Sequence, residues 1–239
     1  MSVTAATIIP TNVEKVPLHH WRPGARLLSV GSRDGADFSG DASSDSRSFR
    51  LDVTGDLLVA AQRRAGTDGL LACWSSSLNE PAGMEILRAH RQGALVVATP
   101  GIGDPALLAT LLPEVDAWLL LTLAQPGPLA ARILEQGRHV EVLVGLDEGA
   151  EIPDLDWSRA SAVHLVARRP AEADLLDDWC DAAREKFPAG TWIYDHHHPH
   201  TDCQGCGERL VWRHGGRSRR DEALVDGHCG KCGAAAPLG

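Results

Sequence analysis

The sequence predicts an α/β fold with a parallel sheet, followed by a small cysteine-rich module at the C-terminus. Two observations predict it: short apolar runs alternate with amphipathic stretches over residues 26–194, and four of the six cysteines form two close pairs after residue 200. Unbroken apolar runs are typical of parallel strands covered on both faces, and the alternation predicts a parallel sheet, open or closed into a barrel. We therefore place a first domain at residues 1–200 and a second at residues 201–239.

The predicted strands are the apolar runs, which lie at residues 26–30, 69–74, 94–98, 117–123, 139–144, 162–167 and 192–194. The predicted helices are the amphipathic stretches between them, at residues 56–64, 81–92, 104–112, 128–136 and 171–186. Asp104 followed by Pro105 is a typical helix start, and Gly93 and Gly137 fit the C′ position just after a helix. Because parallel sheets carry their sites at the carboxyl ends of the strands, functional residues are expected in the loops that follow them.

Composition and charge restrict the class of protein. The formal net charge of -9 argues against a general nucleic-acid binder. No apolar run reaches the roughly 18 residues that a membrane span needs, and residues 1–15 lack the pattern of a signal peptide. These features predict a cytoplasmic protein that does not bind membranes, in which paired cysteines are metal ligands rather than disulfides.

The C-terminal cysteines have the spacing of a metal site. Cys203 and Cys206 form one CxxC motif, Cys229 and Cys232 form another, and each second cysteine is followed by glycine. Two such motifs predict a tetrahedral Cys₄ site that holds a structural zinc ion, with rubredoxin-like iron in the same ligands as the alternative. A closed Cys₄ shell leaves no open coordination position, so the metal is expected to hold together a module with too small a core of its own.

The segment between the two motifs is rich in arginine. Residues 209–213 and 222–225 are predicted to pair as a hairpin, which leaves most of the arginines in the connecting loop. Since the rest of the chain is acidic, a solvated loop or a contact with an acidic partner is favoured over nucleic-acid binding. The five residues concerned are Arg209, Arg213, Arg217, Arg219 and Arg220.

A histidine cluster, "YDHHHPH", precedes the first motif and contains Asp195, His196, His198 and His200. On extended backbone His196 and His198 would face the same side, where they could form a second metal site. The alternative is a polar linker between the two domains, and it is favoured because the sequence fixes no further ligand.

Three motifs in series extend this interpretation: "NVEKVPLHHWRPGARLLSVGS" (residues 12–32), "LNEP" (residues 78–81) and the ending "CQGCGERLVWR…DGHCGKCGAAAPLG". Together they resemble the AmmeMemoRadiSam family of radical SAM proteins, which are relatives of the pyruvate formate-lyase activating enzyme. The resemblance implies a partial (β/α)₆ barrel, in which a CxxxCxxC loop after the first strand holds a [4Fe–4S] cluster that binds S-adenosylmethionine. It also implies that Asn79 and Glu80 match the turn that contacts the amino group of that cofactor.

The chain departs from this family at the cluster. Gly35, Ser39 and Ala42 stand at or near the three cysteine positions, and no cysteine occurs before Cys73. We therefore expect no iron–sulfur cluster, and Asn79 and Glu80 are interpreted as a retained structural turn in preference to a vestigial S-adenosylmethionine site. Cys73 and Cys180 are expected to be buried core residues rather than a lone cluster ligand or a nucleophile.

The combination of a lost cluster motif and a retained Cys₄ motif predicts a non-catalytic protein. We expect a scaffold, accessory subunit or maturation factor in a protein complex, and the family's usual companions, a Memo-like and an AMMECR-like protein, are candidate partners by resemblance. One alternative is a metal-dependent enzyme that uses the cluster from Asp195 to His200 at the barrel mouth, assisted by Glu80. Another is a radical SAM enzyme whose cluster is supplied by a partner protein.

Overall fold

Strands and helices alternate through most of the chain. The computed structural model describes residues 2–5, 7–13, 16, 18–31, 51–73, 81–99, 104–123, 129–146, 156–167, 176–186, 192–195, 200–203, 205–214, 217–220 and 223–236.

The part of the chain predicted to be the first domain, for which we keep that name, contains the following strands: β1 (Ser2–Ala5), β2 (Thr7–Asn12), β3 (Arg26–Gly31), β4 (Leu51–Thr54), β5 (Gly69–Cys73), β6 (Ala94–Thr99), β7 (Ala117–Leu123), β8 (Val140–Leu146), β9 (Ala162–Ala167) and β10 (Trp192–Asp195). Its helices are α1 (Gly55–Ala65), α2 (Pro81–His90), α3 (Pro105–Leu111), α4 (Ala130–Gln136) and α5 (Leu176–Lys186), with a 3-10 helix at Trp157–Arg159. Each predicted strand and helix corresponds to one of these elements, to within a few residues at its ends. β1, β2 and β4 have no counterpart among the predicted strands.

The main sheet has the strand order β10-β9-β8-β7-β6-β5-β3-β2. β3 and β5 to β10 are mutually parallel, and β2 adds an antiparallel strand at the edge beside β3. Every residue of β5, β6 and β8 is buried, which explains why these strands are continuous apolar runs in the sequence. The prediction of a parallel sheet is confirmed.

The helices cover one face of this sheet. The parallel strands follow each other in chain order, and right-handed crossovers then place every connecting helix on the same side. The buried contacts agree, because each helix contributes its apolar side chains to one cluster that also contains side chains from the strands. Representative members, one from each helix, are Leu58, Leu87, Leu108, Ile133 and Ala183.

The opposite face is covered by the segment of residues 13–25, which we call the lead-in segment. Val13, Val16, Leu18 and Trp21 are buried there in a second cluster, against strand residues such as Leu119. The sheet is therefore enclosed between helices on one face and irregular backbone on the other.

The predicted helix ends are partly confirmed. The Asp104 carboxylate accepts hydrogen bonds from the first turn of α3, and Gly93 adopts φ +81°, as expected for a left-handed residue after a helix. The expectation for Gly137 is wrong, since its φ is −65°. Glycine is needed there for a close approach, because a Cβ atom would lie 2.6 Å from Val140 Cγ2.

The C-terminal module has small sheets of its own. Its strands are β11 (His200–Asp202), β12 (Arg209–His214), β13 (Arg217–Arg220), β14 (Leu224–Val225) and β15 (His228–Cys229), in the orders β11-β12-β13 and β14-β15. β11 begins one residue before the predicted domain boundary.

The predicted pairing of residues 209–213 with 222–225 is wrong. β12 pairs with β13, its nearest neighbour along the chain, and β14 pairs with β15 instead. Asp226 and Gly227 both have positive φ, which suits the two-residue turn between β14 and β15. Most of the arginine-rich segment is therefore strand rather than loop. In the described part of the chain, no helix has the length and hydrophobicity needed to span a membrane.

Candidate metal centre

The four C-terminal cysteines converge on one point. Their Sγ atoms all lie within 4.8 Å of one another. The Sγ atoms of Cys203 and Cys232 are 3.4 Å apart, and those of Cys206 and Cys229 are 3.6 Å apart. Four thiolates around a tetrahedral zinc ion, each at about 2.3 Å from the metal, would be separated by about 3.8 Å. The predicted ligand set is therefore assembled in a geometry that could hold a metal ion.

The first CxxC motif forms a tight turn that is closed by backbone hydrogen bonds. Cys203 N–H donates to Glu208 O at 2.7 Å, and Gly207 N–H donates to Cys203 O at 2.7 Å. Gly207 has φ +72°, a conformation that glycine adopts without steric cost. This explains why a glycine follows the second cysteine of the motif.

The second motif repeats the same hydrogen bonds. Cys229 N–H donates to Ala234 O at 2.8 Å, and Gly233 N–H donates to Cys229 O at 2.7 Å. Gly233 has φ +76°, almost the value found in the first turn. Each of the two equivalent turns thus contributes two thiols, with the first cysteine of each motif buried and the second exposed.

Thiol chemistry in this cluster depends on backbone dipoles and on the crowding of sulfur atoms. The N–H groups of Cys232 and Lys231 lower the pKa of Cys229 to about 7. The N–H of Glu208 lowers the pKa of Cys206, but burial and the three neighbouring thiols raise it to about 12. Four thiolates cannot be crowded together without a compensating cation, and a divalent metal provides that charge while the protons are released.

The remaining two cysteines lie in the core of the first domain, as predicted. Cys73 ends β5, belongs to the cluster under the lead-in segment, and lies 3.2 Å from Ser29 Oγ. Burial raises the pKa of Cys73 to about 11, which leaves the thiol protonated and unreactive. Cys180, on α5, is buried in the helix-side cluster. The two thiols therefore lie on opposite faces of the sheet.

Several predicted site residues lie outside the described residues. They are the cluster-loop positions Gly35, Ser39 and Ala42, the turn residues Asn79 and Glu80, and the histidines His196 and His198. Their roles stay predictions. The flanking His200 is described: its imidazole Nε2 lies 3.1 Å from Asp202 Oδ2, within the C-terminal module.

A second polar site, at the amino end of β8, has no counterpart in the predictions. Glu141 is completely buried, and its carboxylate accepts hydrogen bonds from backbone N–H groups of the lead-in segment. The donors are His19 at 2.8 Å, His20 at 2.8 Å and Trp21 at 3.2 Å. The carboxylate thus fastens the lead-in segment to the sheet.

Two imidazoles complete the environment of this carboxylate. His139 Nε2 lies 2.9 Å from Oε1 of Glu141, and His164 Nε2, from the adjacent β9, lies 2.8 Å from Oε2. Burial by itself raises the pKa of Glu141, but hydrogen bonds from the two histidines hold it well below its usual range. The sequence does carry one signal for this site, the single acidic residue Glu141 inside the apolar run "VEVLVGL". A charged residue in a buried strand indicates a buried partner, because charged residues are almost never fully buried unless they are paired.

Comparison of the chain with protein-family models, with curated proteins and with solved structures finds no match. Its function has to be inferred from its own residues.

Proposed function

We propose that this protein is a non-catalytic, radical-SAM-like partial (β/α)₆ barrel with a C-terminal zinc ribbon, which acts as a scaffold or accessory subunit of a protein complex. The distribution of thiols carries the proposal. Four of the six converge in the C-terminal module, and the other two, Cys73 and Cys180, lie on opposite faces of the sheet. A [4Fe–4S] cluster needs several thiolates in one place, and the first domain cannot supply them from its own two cysteines.

Zinc is the metal that the module's donors favour. Four sulfur ligands in a tetrahedral arrangement suit zinc or rubredoxin-like iron. Zinc has no redox chemistry, and a closed shell of protein ligands leaves no position for substrate. The role proposed for the metal is therefore to stabilise the fold of the module, in the reducing cytoplasm where thiols stay available for metal binding.

The topology of the first domain supports a barrel ancestry. Its parallel strands follow in chain order and its helices all pack on one face, which is the winding of (β/α) barrels rather than of doubly wound sheets. The lead-in motif that resembles the family covers the other face, fastened there by Glu141.

The partner is proposed from the resemblance alone. A Memo-like and an AMMECR-like protein are the first candidates, since they accompany the family that the chain resembles. Size-exclusion chromatography of the purified proteins, mixed pairwise, tests for a stable complex with either one.

Anaerobic reconstitution with iron and sulfide tests the loss of the cluster. The proposal predicts about one zinc and no stoichiometric iron per chain by elemental analysis, without broad visible absorbance from an iron–sulfur cluster. About four irons per chain, with that absorbance, would contradict it. A Cys180→Ala variant serves as the matched control, because it removes a thiol but no proposed ligand, and it should keep the zinc.

The enzyme alternatives have less support from the described residues. His200, one member of the histidine cluster, pairs with Asp202 of the module. A second zinc per chain that disappears in a His196→Ala/His198→Ala variant, while the ribbon zinc remains, would favour the metal-dependent enzyme instead.

A further inference from the structure

The two CxxC turns are packed directly against each other. Glu208, which lies just after the first motif, accepts a hydrogen bond from Lys231 Nζ of the second motif at 2.7 Å. Gly205, between the two cysteines of the first motif, lies so close to the second motif that a Cβ atom there would be 3.1 Å from Cys232 Sγ. Glycine at this position therefore permits thiols of different motifs to approach each other.

Each exposed thiol lies beside a buried thiol of the other motif. Cys206 is exposed, and its Sγ lies 3.6 Å from that of Cys229, which is 1% exposed. Cys232 is exposed, and its Sγ lies 3.4 Å from that of Cys203, which is 4% exposed. Both distances are shorter than the about 3.8 Å expected between thiolates on a tetrahedral zinc ion. The four thiols therefore form two pairs, and in each pair one sulfur can be reached by a small oxidant from solvent.

We propose that the Cys₄ centre is a redox-responsive site, at which peroxide replaces the metal with two disulfides between the motifs, one joining Cys203 to Cys232 and one joining Cys206 to Cys229. This inference rests on the zinc site proposed above. Thiols bound to zinc are held as thiolates, and thiolate character and exposure together favour oxidation by peroxide. The two exposed ligands combine both properties and should react first.

Each disulfide forms in two steps. The exposed thiolate attacks one peroxide oxygen, the O–O bond breaks, and a sulfenic acid and a hydroxide ion form. The buried thiolate of the pair then attacks the sulfenic sulfur, the S–O bond breaks, and a second hydroxide ion leaves as the disulfide forms. The two sulfur atoms supply the two electrons, and the two hydroxide ions take up protons to become water. One hydrogen peroxide is consumed per disulfide, and the zinc ion is released as its ligands are lost.

The proposed pairing should keep the module folded after the metal leaves. The two bonds join cysteines that are 29 and 23 positions apart, and long closed loops restrict the unfolded chain more than short ones do. Pairing within a motif would join neighbouring cysteines of one turn and would leave the two turns unlinked. Oxidation and chelation should therefore differ in outcome: both remove zinc, but only chelation of the reduced protein should unfold the module.

Treatment of the full-length, zinc-loaded protein with hydrogen peroxide tests the proposal. A chromogenic zinc chelator should report the release of about one zinc ion per chain. Amide hydrogen exchange should show that β12 and β15 stay protected after peroxide, but lose their protection when a chelator removes the zinc under reducing conditions. A dithiol reductant supplied together with zinc should restore the starting state, because it returns two electrons to each disulfide.

Trypsin digestion without reduction, after alkylation of free thiols, distinguishes the possible pairings. Cleavage after Lys231 separates Cys229 from Cys232, so the proposed bonds should give one species of three joined peptides. Fragmentation of this species between Cys203 and Cys206 should leave Cys203 attached to the C-terminal peptide. Pairing within the motifs would instead leave the first peptide separate from the other two. The three peptides are residues 187–209, 221–231 and 232–239.

Cys73 and Cys180 are internal controls, because both are buried and should be alkylated only after denaturation. Cys180→Ala is the matched control variant, which should release zinc and give the same species of three peptides. Zinc content before oxidation tests the metal site separately, and a chain that binds no zinc would contradict both the proposed function and this inference. A zinc-loaded chain whose cysteines stay reduced or pair within the motifs, or whose module unfolds on oxidation, would overturn this inference alone.

Discussion

The sheet of the first domain and the C-terminal cysteine module are stabilised in different ways. The sheet is enclosed by two apolar clusters, one beneath the helices and one beneath the lead-in segment. Among the described residues of the module, the buried cluster consists of Leu210, Val211, Cys203 and Cys229. Two of these four side chains are themselves proposed metal ligands, so the module has little apolar burial that is independent of the metal.

This difference follows from size. A unit of about 40 residues buries too small a fraction of its surface to fold on its own and usually needs a metal, disulfides or oligomerisation. A large sheet with helices on one face has no such need. Metal binding should therefore be coupled to folding in the module and have little effect on the sheet.

The largest expected effect comes from removing a buried ligand. Cys203→Ser should abolish tight metal binding, and since structural zinc contributes about 10–16 kcal/mol in small domains, the module should unfold locally. Limited proteolysis should then cut within residues 200–236 while residues 51–186 stay protected. Full protection of the module in this variant, at normal zinc content, would refute the assignment of Cys203 as a ligand.

Removing the Glu141 carboxylate, which holds the lead-in segment against the sheet, should destabilise the first domain rather than the C-terminal module. Glu141→Gln leaves buried donors without a charged acceptor and should destabilise the first domain by about 3–5 kcal/mol. Chemical denaturation monitors that loss, and zinc content should not change. Glu135→Gln, an exposed substitution on α4, is the control and should have an effect of less than about 0.5 kcal/mol.

Ionisation of the Glu141 carboxylate should also make the stability of the first domain depend on pH. Its folded-state pKa is depressed, so its contribution to stability is present above the unfolded pKa of about 4.3 and is lost as pH falls through the lower folded value. The wild type should therefore lose stability more steeply than Glu141→Gln when the pH is lowered below about 4.3. Parallel pH profiles for the two proteins would mean that Glu141 is not ionised in the folded state.

A substitution that creates a cavity in the helix-side core tests whether the first domain and the module unfold separately. Leu108, on α3, is completely buried, and Leu108→Ala should cost about 2–5 kcal/mol. Thermal unfolding should show the first domain melting earlier, while the zinc stays bound at temperatures below that transition. Zinc release in step with the lowered transition would indicate that the two regions unfold as one unit.

The smallest expected effect concerns a helix cap. Asp104→Ala removes the acceptor for the first N–H groups of α3 and should cost about 1 kcal/mol. For a domain of this size that corresponds to a fall of about 2–4 °C in the melting temperature. A melting temperature equal to that of wild type would show that solvent replaces the cap.

Local patterns were sufficient to predict the parallel strands, the helices that connect them and the four converging cysteines. Continuous apolar runs marked the parallel strands because both faces of each strand are covered, and the two CxxC motifs marked the cysteines because each turn is built within a few residues. The cap at Asp104 was predictable for the same reason. These features depend on neighbours in sequence.

Three features were missed or mistaken, one because its contacts are distant in sequence and two because the local pattern favoured a different geometry. The Glu141 carboxylate accepts hydrogen bonds from residues more than a hundred positions away, so no local sequence pattern could predict these donors. Gly137 looked like a left-handed helix end, but its small size serves a close approach to Val140. The partner of β12 was mistaken because the mostly apolar residues 222–225 look more like a strand than the arginine-rich residues 217–220, yet β13, the nearer in sequence, forms the strand pair.

Amide hydrogen exchange on the full chain, with and without a zinc chelator, tests the central comparison most directly. Chelation should remove the protection of amides in β12 and β15, whereas amides in β6, β7 and β8 should keep theirs, because their protection comes from the apolar core. Protection of the module that survives complete removal of the metal, or equal loss of protection in the sheet, would contradict this account.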